Sequence, residues 1–318
     1  MIGFILGIVV GCAQPIMTSL NTKLSQRLRS PLLPSCTTFI LAMILTGCVL
    51  LVLQGNLYIP LGTIAKEPWW IWTGGICGDI IVIFSILCLP KLGSVETVVF
   101  LVLGQIVSGL YIDHFGVFES AVIPMTLLRA VGAVLVFASV VAVSGNIKSD
   151  APEKAKGINF YRFLDFIAGV ACSVQIAVNG RLGIVAGLSF RATIISMIMG
   201  LLGALAVIIV LRLTKGPGSI IDPTLPKIKG HWWMWTGGLC SFTIVGGNVI
   251  LQLLMGTGLA TILNILGQTL AGVVIDATGF LGIPKKPVTP RKIIGLAVMV
   301  VGTALISYFG SSLFSRGF

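Results

Sequence analysis

Charge is what this sequence has least of. Only 10% of its 318 residues are Asp, Glu, Lys or Arg, while 56% are hydrophobic, and its mean hydropathy is +1.06. A soluble domain carries about 25% charged residues, so this chain cannot cover itself with a water-compatible surface. Histidine occurs twice, as His114 and His231. There is no His-Glu-x-x-His or Gly-x-Ser-x-Gly run, and no Gly-x-x-x-x-Gly-Lys-Ser/Thr loop to cradle nucleotide phosphates. A membrane enzyme needs clustered His, Asp or Glu, or an activated nucleophile, so enzyme chemistry is not expected. ATP-driven pumping within this chain is not expected either, nor is a cofactor. The cysteines Cys12, Cys36, Cys48, Cys77, Cys88, Cys172 and Cys240 have no metal or disulfide spacing and read as small, polarizable core residues.

What the sequence does have is long apolar runs. About 20 apolar residues cross a bilayer core as a helix, and ten such stretches are read: 3–20, 33–53, 69–88, 94–112, 123–144, 160–179, 190–211, 232–252, 258–275 and 293–313. Membrane-barrel strands would alternate in polarity over about 10 residues, and no such alternation occurs. Val9-Val10-Gly11-Cys12 resembles a lipoprotein cleavage box, but Met1-Ile2-Gly3-Phe4 lacks the basic start of a signal peptide, so the first stretch is expected to stay as a helix.

The chain also repeats itself. PWWIWTGGICG at 68–78 returns as HWWMWTGGLCS at 231–241. The same shift of 163 positions brings Gly104-Gln105 onto Gly267-Gln268, Ile112-Asp113 onto Ile275-Asp276, Gly116 onto Gly279, Pro124 onto Pro287 and Gly132 onto Gly295. Upstream a shift of 158 brings Asn21 onto Asn179, Lys23 onto Arg181, Leu24 onto Leu182 and Thr38 onto Ser196. These matches predict an all-α polytopic membrane protein of ten helices built as two five-helix repeats, 1–144 and 160–318, joined by 145–159. An odd number of crossings forces the second copy to enter from the opposite face, and inverted repeats of this kind characterise secondary transporters. Trp69, Trp70 and Trp72, with Trp232, Trp233 and Trp235, are expected to anchor the two copies at opposite headgroup layers.

The net charge of +11 belongs to this picture. Sixteen of the 21 lysines and arginines fall on or beside the loops after the odd-numbered helices. The positive-inside rule makes that side cytoplasmic and both termini external. The basic residues are spread over short loops with no basic domain, so a nucleic-acid partner is not expected. The expected partners are the lipid bilayer and a small-molecule substrate, and a homodimer is compatible with the sequence.

Asn21-Thr22-Lys23-Leu24, the tryptophan phrase, Pro90-Lys91-Leu92-Gly93, Gly104-Gln105 and Ile112-Asp113-His114-Phe115-Gly116 together resemble the YdcZ-type (EamA-like) branch of the drug/metabolite transporter superfamily. The chain looks like a fused pair of its five-helix units. The resemblance implies a ten-helix bundle that moves a small metabolite or drug-like compound across the cytoplasmic membrane, most simply outward. It also implies cytoplasmic termini, opposite to the charge count. Small multidrug relatives carry a glutamate in helix 1; this chain has no acid there, so their glutamate-based proton exchange does not transfer.

Polar groups inside the apolar stretches are the candidate substrate- or proton-binding residues. Asp79 lies at the middle of the third stretch, where a carboxyl is expensive on insertion scales, about 2.5–3.5 kcal/mol. It suits a proton-coupled carrier or a cationic substrate. Gln105 and Gln268 occupy matched sites and are expected to point inward, to one another, to backbone or to substrate, because an unsatisfied amide in hydrocarbon costs several kcal/mol. Asn248, Asn264 and Gln175 are further cavity-lining candidates. Asn21 and Asn179 are expected as helix-end caps, and Asp113 and Asp276 as water-reaching turn residues. The competing function class is a membrane scaffold or partner subunit that transports nothing.

Overall fold

In a computed structural model the chain is described over residues 2–120, 122–144, 157–223, 225 and 228–314. Most of the expected connecting segment 145–159 therefore lies outside the described residues. The described residues form helices and no strands: α1 (Ile2–Leu28), α2 (Leu33–Gln54), α3 (Gly74–Leu92), α4 (Ser94–Phe115), α5 (Leu127–Ser144), α6 (Ile158–Val185), α7 (Ser189–Lys215), α8 (Gly237–Thr278) and α9 (Pro290–Phe314). Helices satisfy every backbone N–H and C=O within the segment, which is what lipid demands of a spanning element. Six of them are long and apolar enough to cross a bilayer: Gly3–Leu28, Leu33–Gln54, Gly74–Leu92, Ser94–Phe115, Ile158–Val185 and Phe190–Lys215. Large apolar side chains such as Val52, Leu127 and Leu213 face outward, each more than 80% exposed. That surface would be unstable in water and suits lipid. The molecule is an all-helical membrane protein.

Breaks fall where the backbone turns left-handed. Gly93 separates α3 from α4 at φ +80°, just after Pro90. Gly116 and Gly279 close α4 and α8 at φ +62° and +72°, each donating its N–H back to the isoleucine four residues earlier. Phe118 and Leu281 follow in the same unusual conformation, so the turns match at the 163-residue shift. The tryptophan phrases form short 3-10 turns, Trp69–Trp72 and Trp232–Thr236, leading into α3 and α8. Trp69 and Trp232 stand exposed there.

Two spans were expected at 232–252 and 258–275, but one helical assignment, Gly237–Thr278, runs through both. A straight helix of that length would measure about 63 Å, twice the bilayer core. It is not straight. Asn264 Nδ2 donates to Asn248 Oδ1 at 2.5 Å, whereas 16 residues of straight helix would separate them by about 24 Å. The chain therefore reverses between these asparagines, and α8 is a hairpin of two antiparallel legs.

Two kinds of crossing hold the halves together. Gly104 of α4 meets the Phe166 carbonyl of α6, and Gly169 of α6 meets the Leu101 carbonyl of α4. At matched positions Gly267 of α8 meets the Ile8 carbonyl of α1, and Gly11 of α1 meets the Asn264 carbonyl of α8. At all four glycines a Cβ would collide with that backbone, which is how small residues let membrane helices approach. The second kind is polar. Gly74 packs on Asn179 and Ser196, while Gly237 packs on Asn21 and Thr38. Asn179 Nδ2 donates to Ser196 Oγ at 3.2 Å, and Thr38 Oγ1 donates to Asn21 Oδ1 at 3.1 Å. The two asparagines, expected as helix-end caps, are instead interhelical links inside their helices, because each fills the notch left by a glycine of the other half.

Candidate functional site

Asp79 sits in α3 with 7% exposure, and neither carboxyl oxygen has a hydrogen-bond partner. Gly203, at the middle of α7, leaves room for it: a Cβ there would stand 2.8 Å from Oδ2. The Ser35 hydroxyl of α2 and the Ala204 backbone of α7 stand beside the carboxyl, and the hydroxyl donates to the Leu32 carbonyl at 2.7 Å. A second acid escaped the sequence reading. Asp165 in α6 is fully buried, both its oxygens are also unpartnered, and Cys88 of α3 is a neighbour. The signal was present, an acid inside the apolar stretch 160–179, the same pattern that marks Asp79.

The other expected site residues do not converge on Asp79 as one cluster. Gln175 Nε2 donates to the Gly74 carbonyl at 2.9 Å and lies against Gly78, one residue from Asp79. Gln105 Nε2 points to Cys172 Sγ at 3.3 Å. Its counterpart Gln268 is buried with Oε1 unpartnered, so the two glutamines do not bond to each other. Asn248 and Asn264 bond to one another.

Polar groups also gather at the helix ends. Asp276, expected to reach water, is fully buried. Its carboxylate accepts the N–H groups of Ser94 and Val95 at 2.7 and 3.1 Å, capping α4 from across the molecule. The first N–H groups of a helix have no partner within it and carry positive partial charge, so a buried carboxylate is stable there. Asp113 instead pairs with Arg129 at 2.5 Å. The expected turns are made by the backbone: Asp113 and Asp276 carbonyls accept the N–H of Ile123 and Lys286. Lys286 Nζ donates to the Lys91 carbonyl. Burial pulls its ammonium below the usual lysine range, opposed by Glu96 and Asp276. Glu96 faces Arg162 at 3.7 Å. At the far end Arg181 holds Glu67 and Glu119 at 3.0 and 3.1 Å. His114 Nδ1 accepts the Met125 N–H, and His231 stacks on Trp233. Among the described residues no cluster of His, Cys, Asp and Glu could hold a metal.

Between α1, α3 and α4 lies a small cavity lined by Gln14, Pro15, Thr18, Ser85, Leu89, Ser94, Thr97, Val98 and Leu101. None of these was named from sequence as a site residue.

A bundle of long apolar helices with an outward-facing apolar surface and buried acids is that of an integral membrane protein. The chain belongs to the family described as "Putative inner membrane exporter, YdcZ", of the drug/metabolite transporter group, which it matches over residues 2–142 and 160–305. It is thus an integral inner-membrane protein of an exporter family. A solved structure titled "Crystal structure of protein" shares 16% identity and superposes at TM-score 0.55, covering 98% of this chain and 99% of that one; at that identity the likeness concerns the fold alone. No curated protein matches the chain.

Proposed function

We propose that this protein is a secondary transporter, most simply an exporter, that moves a small metabolite or drug-like compound by alternating access. Its working parts are two five-helix repeats, residues 1–144 and 160–318, threaded through the membrane in opposite senses. One observation carries the reading: the matched residues of the two halves exchange equivalent contacts. Gly74 fits Asn179 and Ser196 as Gly237 fits Asn21 and Thr38, and Gly104 meets α6 as Gly267 meets α1. Such reciprocity is what a pseudo-two-fold axis in the membrane plane produces, and it lets two half-units rock between mirror-related packings. The α8 hairpin supplies the eighth and ninth crossings, and α5 and α9 complete each set of five. The end richer in lysine and arginine faces the cytoplasm, which leaves both termini outside.

Asp79 is the proposed proton carrier. It is a buried acid with no cation beside it, against the mid-helix Gly203 and near the Ser35 hydroxyl and Ala204 backbone, and protonation removes a charge that such surroundings solvate poorly. Gln175, Gln105, Asn248 and Asn264 tie crossing helices elsewhere in the bundle, and with Gln268 they remain the proposed polar groups along the substrate's path. The test is flux in reconstituted vesicles of screened metabolites and toxic compounds, with and without a pH gradient. Gradient-driven flux that fails in Asp79→Asn, with membrane insertion intact, supports the reading. Absence of flux for any compound points to a scaffold.

A further inference from the structure

We infer that Lys23 and Arg27 of α1, with the turns at Gly230 and Gly282, form a binding site for an oxyanion group, a carboxylate or a phosphate. The inference goes beyond the carrier reading and does not depend on it.

Its basis is a difference between two places that the internal repeat makes equivalent. At one of them Arg181 of α6, a helix of the second half, holds two acids from turns of the first half. Glu67 stands at 3.0 Å and Glu119 at 3.1 Å. The 158-residue shift carries Arg181 onto Lys23, and the 163-residue shift carries Glu67 and Glu119 onto Gly230 and Gly282. The mirrored link therefore keeps its cation and lacks both acids. Its geometry is retained. A Cβ on Gly282 would stand 3.4 Å from Cε and Nζ of Lys23, and one on Gly230 would stand 2.7 Å from Nε of Arg27. Gly282 has φ +71°, against +56° at Glu119, so the turn that presents an acid at one place presents bare backbone at the other.

Two cations are thus gathered with no acid to answer them. Lys23 and Arg27 are one helical turn apart on the same face of α1, a spacing at which like charges repel. Among the described residues neither makes an ion pair or a hydrogen bond. The shortage of acid is written in the sequence. Residues 1–66 contain no Asp or Glu, and residues 223–318 contain only Asp276, whose carboxylate already accepts the Ser94 and Val95 N–H groups. Asp222, whose N–H donates to the Arg29 carbonyl, has a partner of its own.

The surroundings favour a negative guest. Lys229 and Lys285, next to Gly230 and three residues after Gly282, are exposed and add to the positive field. Lys23 is half-buried, so salt screens it less than a fully solvated lysine. A carboxylate or phosphate accepts charge-assisted hydrogen bonds from ammonium and guanidinium together, and the planar guanidinium matches two of its oxygens at once. Bound there, it joins α1 to the turns of the second half as Glu67 and Glu119 join α6 to those of the first.

The test is isothermal titration calorimetry of the full-length protein in phosphatidylcholine nanodiscs, with succinate and inorganic phosphate as free anions and glycerol as the neutral comparator. The anions are expected to bind and glycerol not. Lys23→Gln with Arg27→Gln is expected to weaken anion binding at least tenfold. Gly230→Glu with Gly282→Glu gives this place the acids of the other and is expected to weaken binding as much, with Tm unchanged or raised. Native mass spectrometry of phosphatidylglycerol retained by each protein separates the sources. Binding of the free anions assigns a soluble ligand. Lipid retention that falls in both double variants, without binding of free anions, keeps the site and assigns it to a headgroup. No anion in either arm, equal binding of glycerol, or binding indifferent to either pair of substitutions overturns the inference. Asp150 and Glu153 lie outside the described residues, and a tenfold gain of affinity in Asp150→Asn with Glu153→Gln overturns it too, because the occupant would then be an acid of this chain.

Discussion

Single residues divide here into those that hold helices together and those left without partners. Asp276 is of the first kind. Asp276→Ala leaves the α4 N-terminus uncapped inside the protein, and the expected loss is about 1–2 kcal/mol, measurable as a lower Tm in detergent. Asp113→Ala should lose at least as much, since it leaves the buried Arg129 guanidinium without its carboxylate, an unpaired charge away from water. Asp79 and Asp165 are of the second kind. Asp79→Asn keeps the shape of the side chain, removes titration, and relieves a buried carboxyl that has no bond to lose. Its Tm should hold or rise while any dependence of flux on a pH gradient disappears. A fall in Tm with gradient-driven flux intact would assign Asp79 to structure. Asp79 was legible from sequence because an acid in a hydrophobic run is conspicuous, and Asp165 was equally so. Nothing in the sequence separated Asp276 from Asp113, since both stand in the same Ile-Asp turn; only the fold brings the α4 N-terminus to one of them.

At the level of elements, the close crossings are the points of least tolerance. Gly104→Val and Gly267→Val each put a side chain where backbone of another helix already lies, and overpacking of that kind costs about 1–3 kcal/mol or more. Gly180 in α6 has open space where its Cβ would be, so Gly180→Ala should be neutral or stabilising by up to about 1 kcal/mol. Thermal unfolding of the three variants checks the contrast. Gly104 and Gly267 were visible in the sequence as a matched pair, but their partner helices were not, because a repeat records which positions correspond and not what each one meets. The α8 hairpin shows the converse limit. Its two legs were readable as separate apolar stretches, and the reversal is evident from the bond between Asn248 and Asn264. Asn264→Leu breaks that bond and leaves Asn248 unpaired in a nonpolar setting, an expected loss of about 1–3 kcal/mol checked by the same unfolding assay.

For the whole molecule the decisive property is the direction in which each half is threaded. In a cysteine-free background, Lys66→Cys and Lys229→Cys place single thiols before the matched tryptophan turns. The inverted-repeat reading expects a membrane-impermeant maleimide to label them from opposite sides of sealed vesicles. Labelling from the same side would remove the basis for alternating access between these halves. Lys66 is expected on the external side, as the charge count requires, and a cytoplasmic Lys66 would favour the orientation implied by the family resemblance. By itself the sequence determined the solvent in which this protein folds, its helical class, its internal repetition and its family, because hydropathy and periodicity are properties of the chain read in order. The tertiary structure alone decided that Asn21 and Asn179 join helices rather than cap them, that Gln105 meets Cys172 and not Gln268, and that Gln14, Ser85, Ser94 and Thr97 share one cavity. Those facts depend on which helices cross and at what height, and residues distant in sequence carry no local signal of the neighbour they will meet.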